Sequence, residues 1–397
     1  MLNIVLIVAD TLRQDMFEEL EAKKHAFERL GFSFYRHCIA PASWTLPSHA
    51  SIFTGMYPSE HGAHESKSIK SLDIDRIKLK LPTFVSDLKN KGYKTYAISA
   101  NPYVSPVYGF NEFDKFFEES YFTDIFGNVV EVSNKLKPLI SKYRNIYGTS
   151  AVKIAMHVLK DNPSLFLEAV STAAVLTPKS ALIKAKAKLI DGWPIEKGGR
   201  NTVKNVKTMH FNKPFFLFIN LMEAHDPYVG KKHLDFDWAT PFLTKKPSKD
   251  LIAMWHKLYA KASERAYAYA NEIAKKVLGI QNTLVIFTSD HGQMLGEHNF
   301  FGHGTVLYDE LVKVPLAIRM PDGFENKEHS GYQSLTLLKN FIEAAVSGDA
   351  HAVRILSQGE VRSESFGIPA SISVVKGINK ALLEKYDVVR TRRFTTK

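Results

Sequence analysis

The chain has 397 residues, 45% hydrophobic and 12% aromatic, enough for a sizeable core in one large domain with insertions or in two domains, which excludes a disordered or low-complexity chain. Its formal charge of +11, with 15 histidines besides, favours an acidic partner (a polyanionic substrate, nucleic acid or an anionic membrane surface), the plainer alternative being a solvated basic surface. A single cysteine, Cys38, excludes an intramolecular disulfide and a multi-thiolate zinc site.

The first element is the apolar run Asn3 to Ala9, ended by Asp10 after about seven residues, too short to span a bilayer and lacking a basic leader and cleavage pattern. A cytoplasmic protein is expected. Lys94 to Ala100, Phe215 to Leu221, Thr283 to Ser289 and Pro315 to Arg319 repeat the pattern: short β-branched or aromatic runs that stop where polar residues begin, as buried parallel strands do. Helical periodicity over Leu81 to Lys91 and His256 to Leu278 alternates with them. The expected fold is α/β, a mostly parallel central sheet flanked by helices, with ligands bound outside the carboxyl ends of the strands.

Residues 128–205 break this rhythm. The segment is helix-rich, basic and apolar, as in AVKIAMHVLKDNPSLFLEAVSTAAVL, and is punctuated by Pro163, Pro178 and Pro194. It reads as a helical insertion of roughly 75 residues, long for a connection without its own structure. It could form a lid, a membrane-surface element, or a helical pair packed on the core. The basic excess gathers in Lys135 to Lys213 and Lys376 to Lys397, without an RNA-binding aromatic motif or zinc-finger pattern, so nucleic acid is set aside. The expected division is 1–127 and 206–325 for the two halves of the core, 128–205 for the insertion and 326–397 for a small C-terminal α+β part.

Asp10, in VADTLRQD, stands directly after the first strand and by itself could be a helix cap. In TLVIFTSDHG, Asp290 and His291 follow a strongly hydrophobic strand. Adjacent carboxylate and imidazole groups are common ligands of a divalent cation, although an isolated Asp-His pair is more often a loop feature.

Between these lies APASWTLPSHASIFTGMYPSEHG, in which Thr45, Pro47, Ser48, Thr54 and Gly55 resemble the signature of the sulfatase branch of the alkaline phosphatase superfamily. The likeness extends to Asp10, to Asp290-His291, to EAHDPY at an active-site histidine motif, and to FFGHGTVLYDELVKVPL at the closing motif. It runs from Met1 to about Arg319, the insertion excluded. It implies a divalent cation (Ca, Mg, Mn or Zn, one rather than two) held by Asp10, Asp290 and His291, with Thr45 completing the shell as nucleophile. A second ion would need ligands such as Asp226 or His303. A bound cation lowers the pKa of a hydroxyl, which would let a threonine attack. The resemblance also implies that His225 contacts the transferring group and that His303 stabilises or protonates the leaving oxygen. His298, His61 and His64 stay outside this set.

Several positions depart from the family pattern. Sulfatases carry cysteine or serine, oxidised to formylglycine, where this chain has Thr45, which cannot be converted; a threonine sulfate also lacks the second hydroxyl that expels sulfate from the hydrated aldehyde. That tilts the chemistry toward phosphoryl transfer. Thr11 replaces a further metal aspartate and His291 an asparagine, as in phosphonate and phosphodiester hydrolases. His49 stands at an arginine position and His303 at a lysine position, so activity should vary with pH around 6 to 7 if both face the substrate. His49 and Asn101 are the substrate-binding candidates, Asn101 also suiting a turn before Pro102. DVVRTRRFTTK resembles a family strand that leads into more chain, so the C-terminal sheet is expected to be incomplete. The resemblance implies hydrolysis of phosphate mono- or diesters or sulfate esters on an anionic small-molecule, glycan or lipid substrate. The alternatives are a phosphotransferase acting on a membrane-associated substrate, with peripheral membrane contact through 128–205, and an idle anion-binding protein.

Overall fold

The computed structural model describes residues 1–64, 74–119, 139, 151–171, 196–226, 228, 247–327, 330–368 and 379–396. Every residue of Asn3–Ala9 (β1) is buried, as an unbroken apolar run requires when both faces of a sheet are covered. Ser33–Phe34 (β2), Lys94–Ser99 (β3), Lys115–Glu118 (β4), Phe215–Leu221 (β5), Thr283–Thr288 (β6) and Leu316–Arg319 (β7) join it in a seven-stranded sheet among the described residues. The spatial order is β2-β7-β6-β1-β5-β3-β4. The strands from β6 to β4 are parallel and β7 runs against both its neighbours, so the sheet is mostly parallel as expected, although Pro315 to Arg319 reads in the sequence as one of the parallel runs. No long helix lies between β6 and β7 to carry the chain back across the sheet, so β7 re-enters from the edge where β6 ends.

The helices are Gln14–Lys24 (α1), Thr45–Thr54 (α2), Phe84–Asn90 (α3), Ala151–Asp161 (α4), Gly199–Thr208 (α5), Lys249–Leu278 (α6), Leu338–Val346 (α7) and Lys380–Tyr386 (α8), with shorter turns between. Strand alternation splits the core in two. Ile4, Leu6 and Val8 face a cluster with Leu46 and Phe53 of α2, Phe84 of α3 and Phe341 of α7. Val5, Ile7 and Ala9 face the other, built on Tyr259, Ala266 and Ile273 of α6. Helix α6 starts seven residues before the expected His256, because Ser248 caps it by accepting from the Leu251 N–H. α7 falls past the boundary drawn at 325 yet packs into the first cluster.

Of the expected insertion, most of residues 128–205, Pro178 and Pro194 among them, lie outside the described residues. In the described part, Ala155, Val158 and Ala169 form a small cluster of their own, while Met156, Leu159, Leu167 and Val170 are exposed. Among the described residues no helix is long and apolar enough to cross a membrane. At the C-terminal end Glu360–Ser365 (β8) and Arg390–Thr395 (β9) pair antiparallel over six positions, with Val361 and Phe394 packed on Ile39 and Leu311.

The turn after β1 is the strained point of this frame. Thr11, β-branched, takes the left-handed region at φ 61°, and Tyr259 of α6 holds it there: its hydroxyl donates to the Thr11 carbonyl at 2.8 Å and accepts from the Arg13 N–H at 2.9 Å. Tyr259→Phe leaves a buried donor and acceptor unpaired. It should lower stability by about 2 kcal/mol in urea unfolding; a loss below a few tenths would show that the turn needs no such support.

Candidate active site

Strand register brings the site together. Val8, Ser99, Asn220 and Thr288 lie level across β1, β3, β5 and β6, and two residues further on the chain leaves three of these strands as Asp10, Asn101 and Asp290. Thr45 is the first residue of α2, where unpaired backbone N–H groups favour negative charge. The Ser48 hydroxyl donates to the Asp290 carbonyl at 2.5 Å and ties that helix to the end of β6. Gly292 lets the chain turn there, since a Cβ would stand 2.0 Å from the Glu310 carbonyl oxygen.

Asn101 links Thr45 and Asp10. Its Nδ2 donates to Asp10 Oδ2 at 2.6 Å and lies 3.3 Å from Thr45 Oγ1, while its Oδ1 accepts from the Tyr103 N–H, so it serves the turn as well. His291 Nδ1 sits 2.8 Å from the Gly292 carbonyl, which fixes the proton there and leaves the Nε2 lone pair free. That Nε2 lies 3.4 Å from Thr45 Oγ1, 3.4 Å from Asp290 Oδ2 and 3.9 Å from Asp10 Oδ1. Asp10 Oδ1 and Asp290 Oδ2 are buried without a hydrogen-bond partner, a costly state for a carboxylate. Burial and the Asp10 charge push Asp290 well above the usual carboxylate range. Burial acts on Asp10 in the same sense, but His225, His291 and His49 and the Asn101 amide hold it low. Ligand atoms of Asp10, Asp290 and His291 lie within 4.8 Å of one another. Two crowded carboxylates with orphaned oxygens and one imidazole lone pair are a donor set suited to a divalent cation.

Beside it lies a second, partly buried group of His225, Asp226 and His303, also within 4.8 Å. His225 Nδ1 stands 3.0 Å from Asp226 Oδ1; burial disfavours its charge, but Asp226 overrides burial and raises it to about 9. His303 Nδ1 lies 2.8 Å from Gln293 Oε1, and burial, with the His225 charge, lowers it to about 4. The His303 ring is 4.9 Å from that of His225 and 4.6 Å from that of His291, between centroids.

Residues 2–346 match the family model described as Sulfatase. The chain belongs to the sulfatase family. Within it, 162 residues are 26% identical to the uncharacterised sulfatase YidJ of Escherichia coli K12, covering 34% of this chain and 32% of that protein. A second relative, phosphoethanolamine transferase EptA of Helicobacter pylori, is 28% identical over 149 residues, 35% of this chain and 28% of EptA. This sulfatase-family chain therefore matches about a third or less of either relative's length. The fold is that of the phosphonate monoester hydrolase of Agrobacterium radiobacter, with a TM-score of 0.52 at 14% identity over 100% of this chain and 89% of that one.

Against the family pattern, His49 is corrected from the expectation of substrate contact. It is wholly buried, its Nδ1 is 3.0 Å from the Thr45 carbonyl and 3.4 Å from Asp290 Oδ2, and its Nε2 is 3.4 Å from Asn220 Nδ2. With both nitrogens committed, it braces the start of α2 from behind. The expected titration at pH 6 to 7 shifts too, since burial takes both His49 and His303 to about 4. Thr11 contributes its backbone N–H, 3.2 Å from Asp290 Oδ1. His61, His64 and His298 pair elsewhere, with Ser51, Phe366 and Tyr308. Pro227 of EAHDPY lies outside the described residues. Asn220, whose Nδ2 is 3.5 Å from Asp10 Oδ2, was missed, although an asparagine inside the apolar run FFLFINL was a readable signal. Gln293, next to Gly292, was missed as well.

His49, His61 and His303 are all neutral when folded, near 4 against an ordinary value of 6.5. The unfolded chain then binds more protons between those values, so stability present above pH 6.5 is lost as pH falls toward 4. Urea midpoints at pH 7.5 and 5 should show this loss, and His61→Gln should shrink it. An unchanged pH dependence in that variant would remove His61 from the account.

Proposed function

We propose that this sulfatase-family chain is a metal-dependent ester hydrolase that works through a covalent adduct on Thr45, with phosphate esters preferred over sulfate esters. One observation carries the reading: the Thr45 hydroxyl, at the start of α2, shares the Asn101 amide with Asp10 and faces the free Nε2 of His291. Asp10, Asp290 and His291 would hold the cation, which supplies the positive charge that acidifies the threonine hydroxyl and draws in an anionic ester. Thr45 releases its hydroxyl proton to solvent, its Oγ1 forms a bond to phosphorus, and the bond from phosphorus to the leaving oxygen breaks. Charge states favour a change from the expected roles: His225, protonated by its pairing with Asp226, in place of His303 as proton donor to that oxygen, and neutral His303 as acceptor from the water that later cleaves the phosphothreonine. A phosphothreonine can be attacked at phosphorus, whereas a threonine sulfate has no second hydroxyl to expel its group, which is why phosphate is preferred.

The test is hydrolysis of para-nitrophenyl phosphate, its bis ester and para-nitrophenyl sulfate with Mn, Zn, Mg or Ca added, and peptide mapping for phosphorylated Thr45. Metal binding without turnover of any ester would leave the anion-binding reading. A second reading, transfer of the group to an acceptor at a membrane, draws on the likeness to a phosphoethanolamine transferase and on the exposed Met156, Leu159, Leu167 and Val170. Transfer predicts that an added alcohol or lipid amine takes a growing share of product while water takes less.

A further inference from the structure

The chain re-entering the core after the inserted segment passes a lysine beneath the His225 loop. Lys197 is only 3% exposed; its ammonium donates to the carbonyls of Glu223, at 3.3 Å, and His225, and lies 5.6 Å from the centre of the Tyr228 ring. Two carbonyls and a ring face give an ammonium's three N–H groups something to meet, which a buried cation needs. The attachment is reciprocal, because Glu223 Oε1 accepts from the Lys197 N–H at 3.3 Å and the Gly199 N–H at 2.9 Å. Only glycine fits the next two positions. A Cβ would stand 1.7 Å from the Glu119 carbonyl oxygen at Gly198, where φ is +105°, and 2.4 Å from Tyr269 at Gly199. Lys197, Gly198 and Gly199 are thus wedged between the exits of β4 and β5. The sequence between those strands closes on the catalytic edge and not merely on the core.

We propose that Lys197 is a positioning residue that acts through His225, clamping residues 222–226 so that the imidazole keeps its place beside His303 and its reach to the ester. This rests on the esterase reading of Thr45 and His225. It goes beyond that reading by giving the end of the inserted segment a part in turnover. The His225 N–H bonds only locally, to the Met222 carbonyl, and the loop is also held at Glu223 by the Gly199 N–H and at Ala224 by the Tyr228 hydroxyl; among the described residues it is the Lys197 ammonium that reaches the carbonyl of His225 itself.

The experiment uses the full chain with Lys197→Met, similar in length but without donors or charge, and Lys197→Gln, which keeps two donors, in case the first does not fold. Amide hydrogen exchange of 222–226, which needs no turnover, should speed up about tenfold while β1 and β6 keep wild-type protection. On the ester that turns over, kcat should fall on the order of 10–100-fold with KM within about twofold, as displaced supporting groups do. In a His225→Ala background Lys197→Met should cost nothing further, because a residue acting through another has no separate effect. Propylammonium should partly restore Lys197→Ala. Unchanged exchange at 222–226, or losses that multiply in the double variant, overturns the inference. If the wild type turns over no ester, the esterase reading alone fails and the exchange result still decides the clamp.

Discussion

Thr45→Ala should cut turnover on the order of 10⁴-fold or more while the protein stays folded and still binds its cation. In the proposed mechanism the threonine oxygen is the attacking atom, and deletion of a covalent nucleophile in other hydrolases costs this much because the remaining groups act only around it. The cation should remain, since its proposed ligands Asp10, Asp290 and His291 come from two other points of the chain, the ends of β1 and β6. Thr45→Ser, which keeps the oxygen, should retain turnover within about tenfold. Initial rates on an aryl phosphate, metal content and peptide mapping check this together. More than a tenth of wild-type rate left in Thr45→Ala would mean that the oxygen attacking the ester comes from water and that Thr45 is only a neighbour.

The second large effect has opposite signs with and without metal. Asp290 is a fully buried carboxylate, raised by burial and by the Asp10 charge, with its Oδ2 3.4 Å and Asp10 Oδ1 3.9 Å from the same His291 nitrogen and Oδ2 left without a hydrogen bond. In chelator, Asp290→Asn removes one of two crowded charges and should raise stability, by about 2 kcal/mol or more. With the cation present the same change removes a ligand; it should weaken metal affinity about 100-fold and lower stability relative to wild type. The pH dependence has a fixed sign. A carboxyl raised in the folded state contributes stability at low pH that is lost as pH rises through its folded value, so the advantage of the Asn variant in chelator should grow with pH. Thermal unfolding with and without chelator at two pH values measures this. The same sign of change in both conditions would show that Asp290 holds no cation.

The fold was largely legible because burial on both sheet faces leaves a plain mark, an apolar run ended by a polar residue. Asn3–Ala9 and Phe215–Leu221 have the extents expected, and Thr283–Thr288 differs by one residue. Strand direction is not written that way, and β7 turned out antiparallel because direction depends on the connection and not on the strand. Ser33–Phe34 and Lys115–Glu118 were missed: the first is two residues long, the second carries charge at both ends as a sheet edge permits. At the site, Asp10, Thr45, Asn101, Asp290 and His291 come together from motifs readable in the chain. What could not be read was orientation. His49 follows Thr45 by one helical turn, and its bond to the Thr45 carbonyl, set by that turn, points it inward. The Lys197 clamp was equally hidden, since a lysine in a basic segment looks solvated until the path of the backbone is known.

The placement of β1 bears on how the molecule is made. Six of its seven residues are apolar, and both flanking strands, β5 and β6, arrive more than 200 residues later in the sequence. During synthesis β1 must wait with both edges open and nothing to pair with, the condition under which strands join the wrong neighbour. Refolding should accordingly be slow and sensitive to protein concentration, and chaperones that shield extended apolar segments should raise the yield of active protein.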